Sequence, residues 1–129
     1  MIWSGGMNDI VVRARGGRAL DFIRAQHMPL GILVDEEFDG HASFHEFSLG
    51  TRLYIYTDGI NEATNLENQE LGHEPVWDAI KYGRVNETLG SIVQMVKHFE
   101  GDKTQHDDFT LVEIVLAPLV HIDKNTYEP

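Results

Sequence analysis

The feature that most constrains the fold is a change of hydrophobic period along the chain. Up to Thr57 the apolar residues fall in short runs broken by glycine, as strands and turns do. From Pro75 to Phe99 they recur at three- and four-residue steps, as one face of a helix does. After Asp107 a short apolar run returns. Strands, then two helices, then a late strand predict an α+β fold with a mostly antiparallel sheet and the helices on one face.

The separate elements can be placed. Ile10-Val11-Val12 and Leu20 to Ile23 flank Arg15-Gly16-Gly17-Arg18, which reads as a hairpin closed by a tight Gly-Gly turn. A second hairpin is expected from Ser43 to Thr57, with Phe47 and Leu49 before Gly50 and the alternating run Arg52 to Thr57 after it. Pro75 suits the first turn of a helix carrying Val76, Trp77 and Ile80 and ending at Gly83. Asn86 is the expected N-cap of a longer helix through Leu89, Ile92, Val93, Val96 and Phe99, closed by Gly101. The last strand, Asp108 to Leu116, is apolar on nearly both faces apart from Glu113, which predicts a central, covered strand. Residues 1–117 read as one domain and 118–129 as a tail without periodicity.

Composition removes several functional classes. The chain of 129 residues carries a formal charge of −11, which repels phosphate backbones and anionic membrane surfaces. No nucleic-acid partner is expected. It has no cysteine, which excludes disulfides, thiolate metal sites and a cysteine nucleophile. No apolar run approaches the roughly 18 residues of a membrane span, and the N-terminus has no basic-then-apolar signal, so a cytoplasmic protein is expected. Ser4-Gly5-Gly6 is not a nucleophile elbow, and no phosphate-loop or dinucleotide fingerprint is present.

Two carboxylate groups stand at strand ends. Asp58 follows the strand in Tyr56-Thr57-Asp58-Gly59, and Asp107-Asp108 opens the last strand. Gly59 would let the chain turn sharply with no Cβ in the way. If the two strands are neighbours, Asp58 and Asp107 converge as hard oxygen ligands of the kind Mg²⁺ or Mn²⁺ takes. On the residues alone an ordinary Asp-Gly turn and a solvated Asp-Asp loop are the favoured reading. A zinc site among the seven histidines lacks spacing support, since His41 and His45 have no fixed third ligand. Glu62 reads as a loop-stabilising residue, and Asp35-Glu36-Glu37-Phe38-Asp39 as a solvated acidic loop.

From Trp3 to Leu116 the chain resembles the C-terminal half of a PPM-type (protein phosphatase 2C-like) serine/threonine phosphatase, in the sporulation stage II protein E and sigma-B regulator branch. The resemblance rests on Ser4-Gly5-Gly6, Pro29-Leu30-Gly31-Ile32, Leu49-Gly50, Tyr56-Thr57-Asp58-Gly59-Ile60-Asn61-Glu62-Ala63, Leu71-Gly72-His73-Glu74 and Asp107-Asp108-Phe109-Thr110-Leu111-Val112, in that order. It implies part of an α-β-β-α sandwich with a two-metal Mn²⁺ or Mg²⁺ centre that activates water against phosphoserine or phosphothreonine. It assigns Asp58 and Asp107 as metal ligands, with Asp108 orienting its neighbour and Gly59 shaping the turn. The substrate it implies is a phosphorylated regulatory protein, such as an anti-sigma-factor antagonist.

The chain departs from the family pattern at informative places. The family's Gly-Asp and Asp-x-x-Gly-His-Gly motifs, which carry its other ligands, do not occur here. Gly101-Asp102 follows a helix rather than a strand, Gly6-Met7 stands where relatives often have Gly-His, and Gly50-Thr51 where they usually have Gly-Asp. The chain by itself is therefore expected to be inactive, and a non-catalytic, partner-binding module is the alternative. A half-domain also leaves an apolar face and a strand edge, from which a homo-oligomer is expected.

Overall fold

The computed structural model describes residues 1–102 and 108–118. Four strands form one antiparallel sheet: β1 Ile10–Arg13, β2 Leu20–Ile23, β3 Arg52–Tyr56 and β4 Leu111–Val115, in the order β2-β1-β3-β4. Among the described residues three α-helices accompany it: the single turn α1 Asp58–Asn61, then α2 Glu74–Tyr82 and α3 Thr88–Glu100. The fold is α+β, as the change of period predicts.

Alternation along the strands explains the layering. Val11, Phe22, Tyr54, Tyr56 and Leu111 point to one face, where α2 and α3 bring Val76, Ile80, Ile92 and Val96 against them. Those four helix residues are fully buried, and each such side chain contributes about 1.5–3 kcal/mol through removal from water. The other face holds Ile10, Val12, Ile23 and Leu53, partly roofed by Ile2 and Phe47. Towards β4 the roof runs out, leaving Val112 and Ile114 each 41% exposed.

The first hairpin forms, with Ile10 opposite Ile23 and Arg13 opposite Leu20. Its turn is centred one residue earlier than expected. Gly17 N–H donates to the Ala14 carbonyl at 3.1 Å, so Arg15-Gly16 occupies the bend and Gly16 supplies the positive φ of 70°. α2 starts around Pro75 and stops at Gly83, and α3 stops at Gly101, as the sequence implies.

Three expectations are corrected. Residues 44–49 form no strand, and Ser43 makes only an isolated bridge to Ile2. β3 has two edges and both are filled, by β1 and β4, so no second hairpin can form on it. The last strand is not central: among the described residues β4 lies at the sheet edge, and Val112, Ile114 and Val115 are half-exposed rather than covered. Asn86 does not cap α3. It adopts a left-handed conformation at φ 75° and its side chain accepts a hydrogen bond from Arg52 at 2.9 Å, while Glu87 precedes the helix.

Candidate functional site

β3 ends where the Asp58 turn begins, and β4 starts beside it. Thr57 N–H donates to the Thr110 carbonyl at 3.1 Å, and Thr110 N–H returns a bond to Thr57 Oγ1 at 2.9 Å. This exchange carries the β3–β4 pairing one step past the ladder. Next, a Cβ on Gly59 would stand 2.7 Å from the Asp108 carbonyl oxygen and 3.2 Å from Phe109 Cβ. The two sequence motifs thus meet backbone to backbone. Only glycine permits that approach.

Asp58 heads α1, whose turn is closed by Glu62 N–H donating to the Asp58 carbonyl at 2.8 Å. The Asp58 side chain is exposed and makes no hydrogen bond or ion pair among the described residues. Asp108 is exposed as well. Asp107 and His106 lie outside the described residues. Glu62 serves the turn through its amide, in keeping with a loop role.

Two residues that the sequence does not single out brace this turn. Asn8 Nδ2–H donates to Asn61 Oδ1 at 2.8 Å and to the Tyr56 carbonyl at 3.3 Å, tying the segment before β1 to both ends of the Asp58 turn. Asn61 lies within the motif run; nothing in the sequence marks Asn8. Behind them Tyr56 Oη receives Trp77 Nε1–H at 3.2 Å and lies 3.0 Å from His73 Nδ1. A hydroxyl that accepts from Trp77 best donates its own proton to His73, which leaves the His73 proton on Nε2. Burial, with smaller contributions from the Asp9 and Asp58 charges, raises the Tyr56 pKa above the ordinary phenol value. A pocket of about 290 Å³ opens between Asn8, Asp9, Tyr56, His73 and Trp77.

Among the described residues His41 and His45 do not meet at a metal site. His41 pairs with Asp39 at 2.7 Å and His45 bonds Ser43 Oγ at 2.7 Å, so each has a local partner of its own. Among the described residues no group of three His, Asp or Glu could hold a metal ion. No described helix is long and apolar enough to cross a membrane.

The solved structures similar to this one are phosphatase domains. The SiaA-PP2C domain of Pseudomonas aeruginosa is 16% identical, with a TM-score of 0.65, over 83% of this chain and 42% of that one. The PP2C phosphatase domain and regulatory-domain fragment of the cell fate determinant SpoIIE from Bacillus subtilis is 22% identical, with a TM-score of 0.65, over 84% of this chain and 31% of that one. The chain thus spans less than half the length of either structure. No curated protein matches it. Residues 1–116 match the family model for stage II sporulation protein E (SpoIIE), so nearly the whole described fold, with both acidic motifs in it, falls inside one family. The chain belongs to the SpoIIE family and has part of the PP2C phosphatase fold.

Proposed function

We propose that the chain supplies one side of a metal-dependent protein serine/threonine phosphatase centre, acting on a phosphorylated regulatory protein. The observation that supports this reading is the contact of Gly59 with Asp108, which sets the Asp58 turn beside the head of the last strand.

The donor chemistry fits a hard divalent cation in kind. The candidates are carboxylates, and Asp58 is exposed and uncommitted among the described residues. Asp58 and Asp107 would hold Mn²⁺ or Mg²⁺, and the chemistry such a pair of ions supplies is charge neutralisation at phosphoryl oxygens and activation of water. The chain's own residues do the positioning. Gly59 admits the Asp108 backbone, Thr57 and Thr110 lock the strand ends, and Asn8 with Asn61 holds the turn. Asp108 orients its neighbour.

Two carboxylates make an incomplete shell, and the Gly-Asp and Asp-x-x-Gly-His-Gly motifs are absent from this sequence. The two missing motifs leave, as a second reading, a module that binds a partner without hydrolysis. Calorimetry with Mn²⁺ separates the possibilities. Weak binding by the wild-type chain, lost in Asp58→Asn and in Asp107→Asn, is the expected result, with phosphoester turnover by the chain alone at background. Unchanged binding in both variants overturns the ligand assignment. Turnover that appears when the upstream half of a related domain is added favours the enzyme reading, and its failure to appear favours the binding module.

A further inference from the structure

We propose that the groove between β2 and α2 binds a basic, extended peptide of a partner protein by strand addition to the outer edge of β2. The observations do not involve Asp58, Gly59 or Asp108. β2 is an end strand of the sheet and has no neighbour on its outer side among the described residues. Its residues Leu20 and Phe22 face α2. With Trp77, Glu74, Asp78 and Lys81 they line a groove of about 490 Å³. The α2 residues are spaced so that one helical stripe forms the wall. Phe22 and Trp77 meet edge to face at 4.9 Å, giving the groove a rigid aromatic floor.

An end strand carries backbone groups without partners, and an added strand satisfies them while alternate side chains fill the groove. The Phe22 amide donates to the Asp21 carboxylate at 2.9 Å. That bond caps the edge in the free protein, and a peptide carbonyl would replace it.

Charge selects the occupant. Asp21, exposed, lies on one side of the edge, and Glu74 and Asp78 on the other, with Lys81 the one cation among the described residues that line the groove. Lys81 itself leans on the Tyr82 ring at 5.1 Å, Arg18 lies 6.0 Å from the same ring, and Arg24 is held by Asp9 at 2.6 Å. The whole chain carries −11. A strand alternating Lys or Arg with small apolar residues therefore matches: on the groove face the basic side chains lay their aliphatic stems on Leu20, Phe22 and Trp77 and carry their charged ends to Glu74 and Asp78. A second copy of this chain matches poorly in the register that sets its apolar residues opposite one another. Antiparallel pairing of two β2 strands with Leu20 opposite Phe22 sets Asp21 against its own counterpart and Arg18 against the counterpart of Arg24, and like charges directly opposite are repulsive.

The test is fluorescence anisotropy of the full chain with a labelled Lys-Val-Lys-Val-Lys-Val peptide, beside a Glu-Val counterpart and a backbone N-methylated version. The expected result is a Kd of roughly 10–100 µM for the Lys-Val peptide, typical of a small transient interface. Glu74→Gln combined with Asp78→Asn, both exposed and so compatible with folding, should weaken it roughly tenfold. Amide shifts in the complex should concentrate on Leu20 to Ile23 and on α2. No binding at about 1 mM, equal binding of the acidic or N-methylated peptide, or shifts confined to β4 would each overturn the proposal.

Discussion

Gly59 and Asp108 are so close that a Cβ on the first would stand 2.7 Å from the carbonyl oxygen of the second. The constraint is steric, because Gly59 does not sit in the left-handed region. The relevant neighbour is backbone at the mouth of a ladder, which cannot swing aside as a flexible side chain can. Everything proposed for the Asp58 turn depends on this contact staying intact.

Gly59→Ala is accordingly expected to destabilise the fold by about 1–3 kcal/mol, the usual cost of forcing a methyl group into filled space. Urea unfolding checks the magnitude, and hydrogen exchange at the Thr110 amide checks the place. Thr110 N–H, held by Thr57 Oγ1 at 2.9 Å, should lose protection before the centre of β3 does. Asp58→Asn, at an exposed carboxylate, should stay within about 0.5 kcal/mol of wild type. Equal stability of Gly59→Ala and wild type would mean that the two segments separate freely.

Arg52 and Glu113 form a mostly buried pair across β3 and β4, 2.7 Å apart with each side chain 12% exposed. The contact is close, yet the atoms that meet, Arg52 Nη1 and Glu113 Oε1, are not aligned as a hydrogen bond. Arg52→Met leaves the Glu113 charge without compensation and should cost about 3–5 kcal/mol. Arg52→Met with Glu113→Leu should recover most of that loss, because no lone charge remains. A double-mutant cycle by chemical denaturation measures the coupling. A double variant as unstable as Arg52→Met would show that packing, rather than charge, holds this corner.

Tyr54 and Tyr56 set the alkaline limit of the fold. Burial raises both above the ordinary phenol value of 10.0, and for Tyr54 the neighbouring Glu113 adds to the rise. The raised folded pKa means that the unfolded chain loses these protons first. The contribution to stability is whole below pH 10.0 and is lost as pH climbs through the folded values. Ultraviolet titration should show Tyr54 and Tyr56 ionising above pH 10.0 and together with unfolding. Early titration of all the tyrosines in a chain that remains folded would contradict this.

Association should run through β4. Val112, Ile114 and Val115 are 41%, 41% and 43% exposed on an edge strand that carries neither lysine nor proline to discourage pairing. Light scattering at low micromolar concentration is expected to find a homodimer or larger assembly, and Val112→Lys to return it to monomer. A stable wild-type monomer would mean that this face is already covered in solution.

The sequence by itself determined what depends on near neighbours in the chain. The switch of hydrophobic period settled the α+β class. Pro75, Gly83 and Gly101 marked helix ends through their own backbone restrictions, and the run from Tyr56 to Ala63 together with Asp107 to Val112 carried the family. Wherever an outcome depended on which distant segment arrived first, local pattern was silent. Residues 44–49 alternate well enough for a strand, yet β1 and β4 already occupy both edges of β3. The apolar run of β4 reads as covered, yet it lies at the sheet edge. Asn86 has the chemistry of a cap, yet Arg52, 34 positions away, takes its side chain. Asn8 carries no signal at all, since its role exists only once β3 ends beside it. A strand has two edges and a side chain a few hydrogen bonds, and the competition for them is decided in three dimensions.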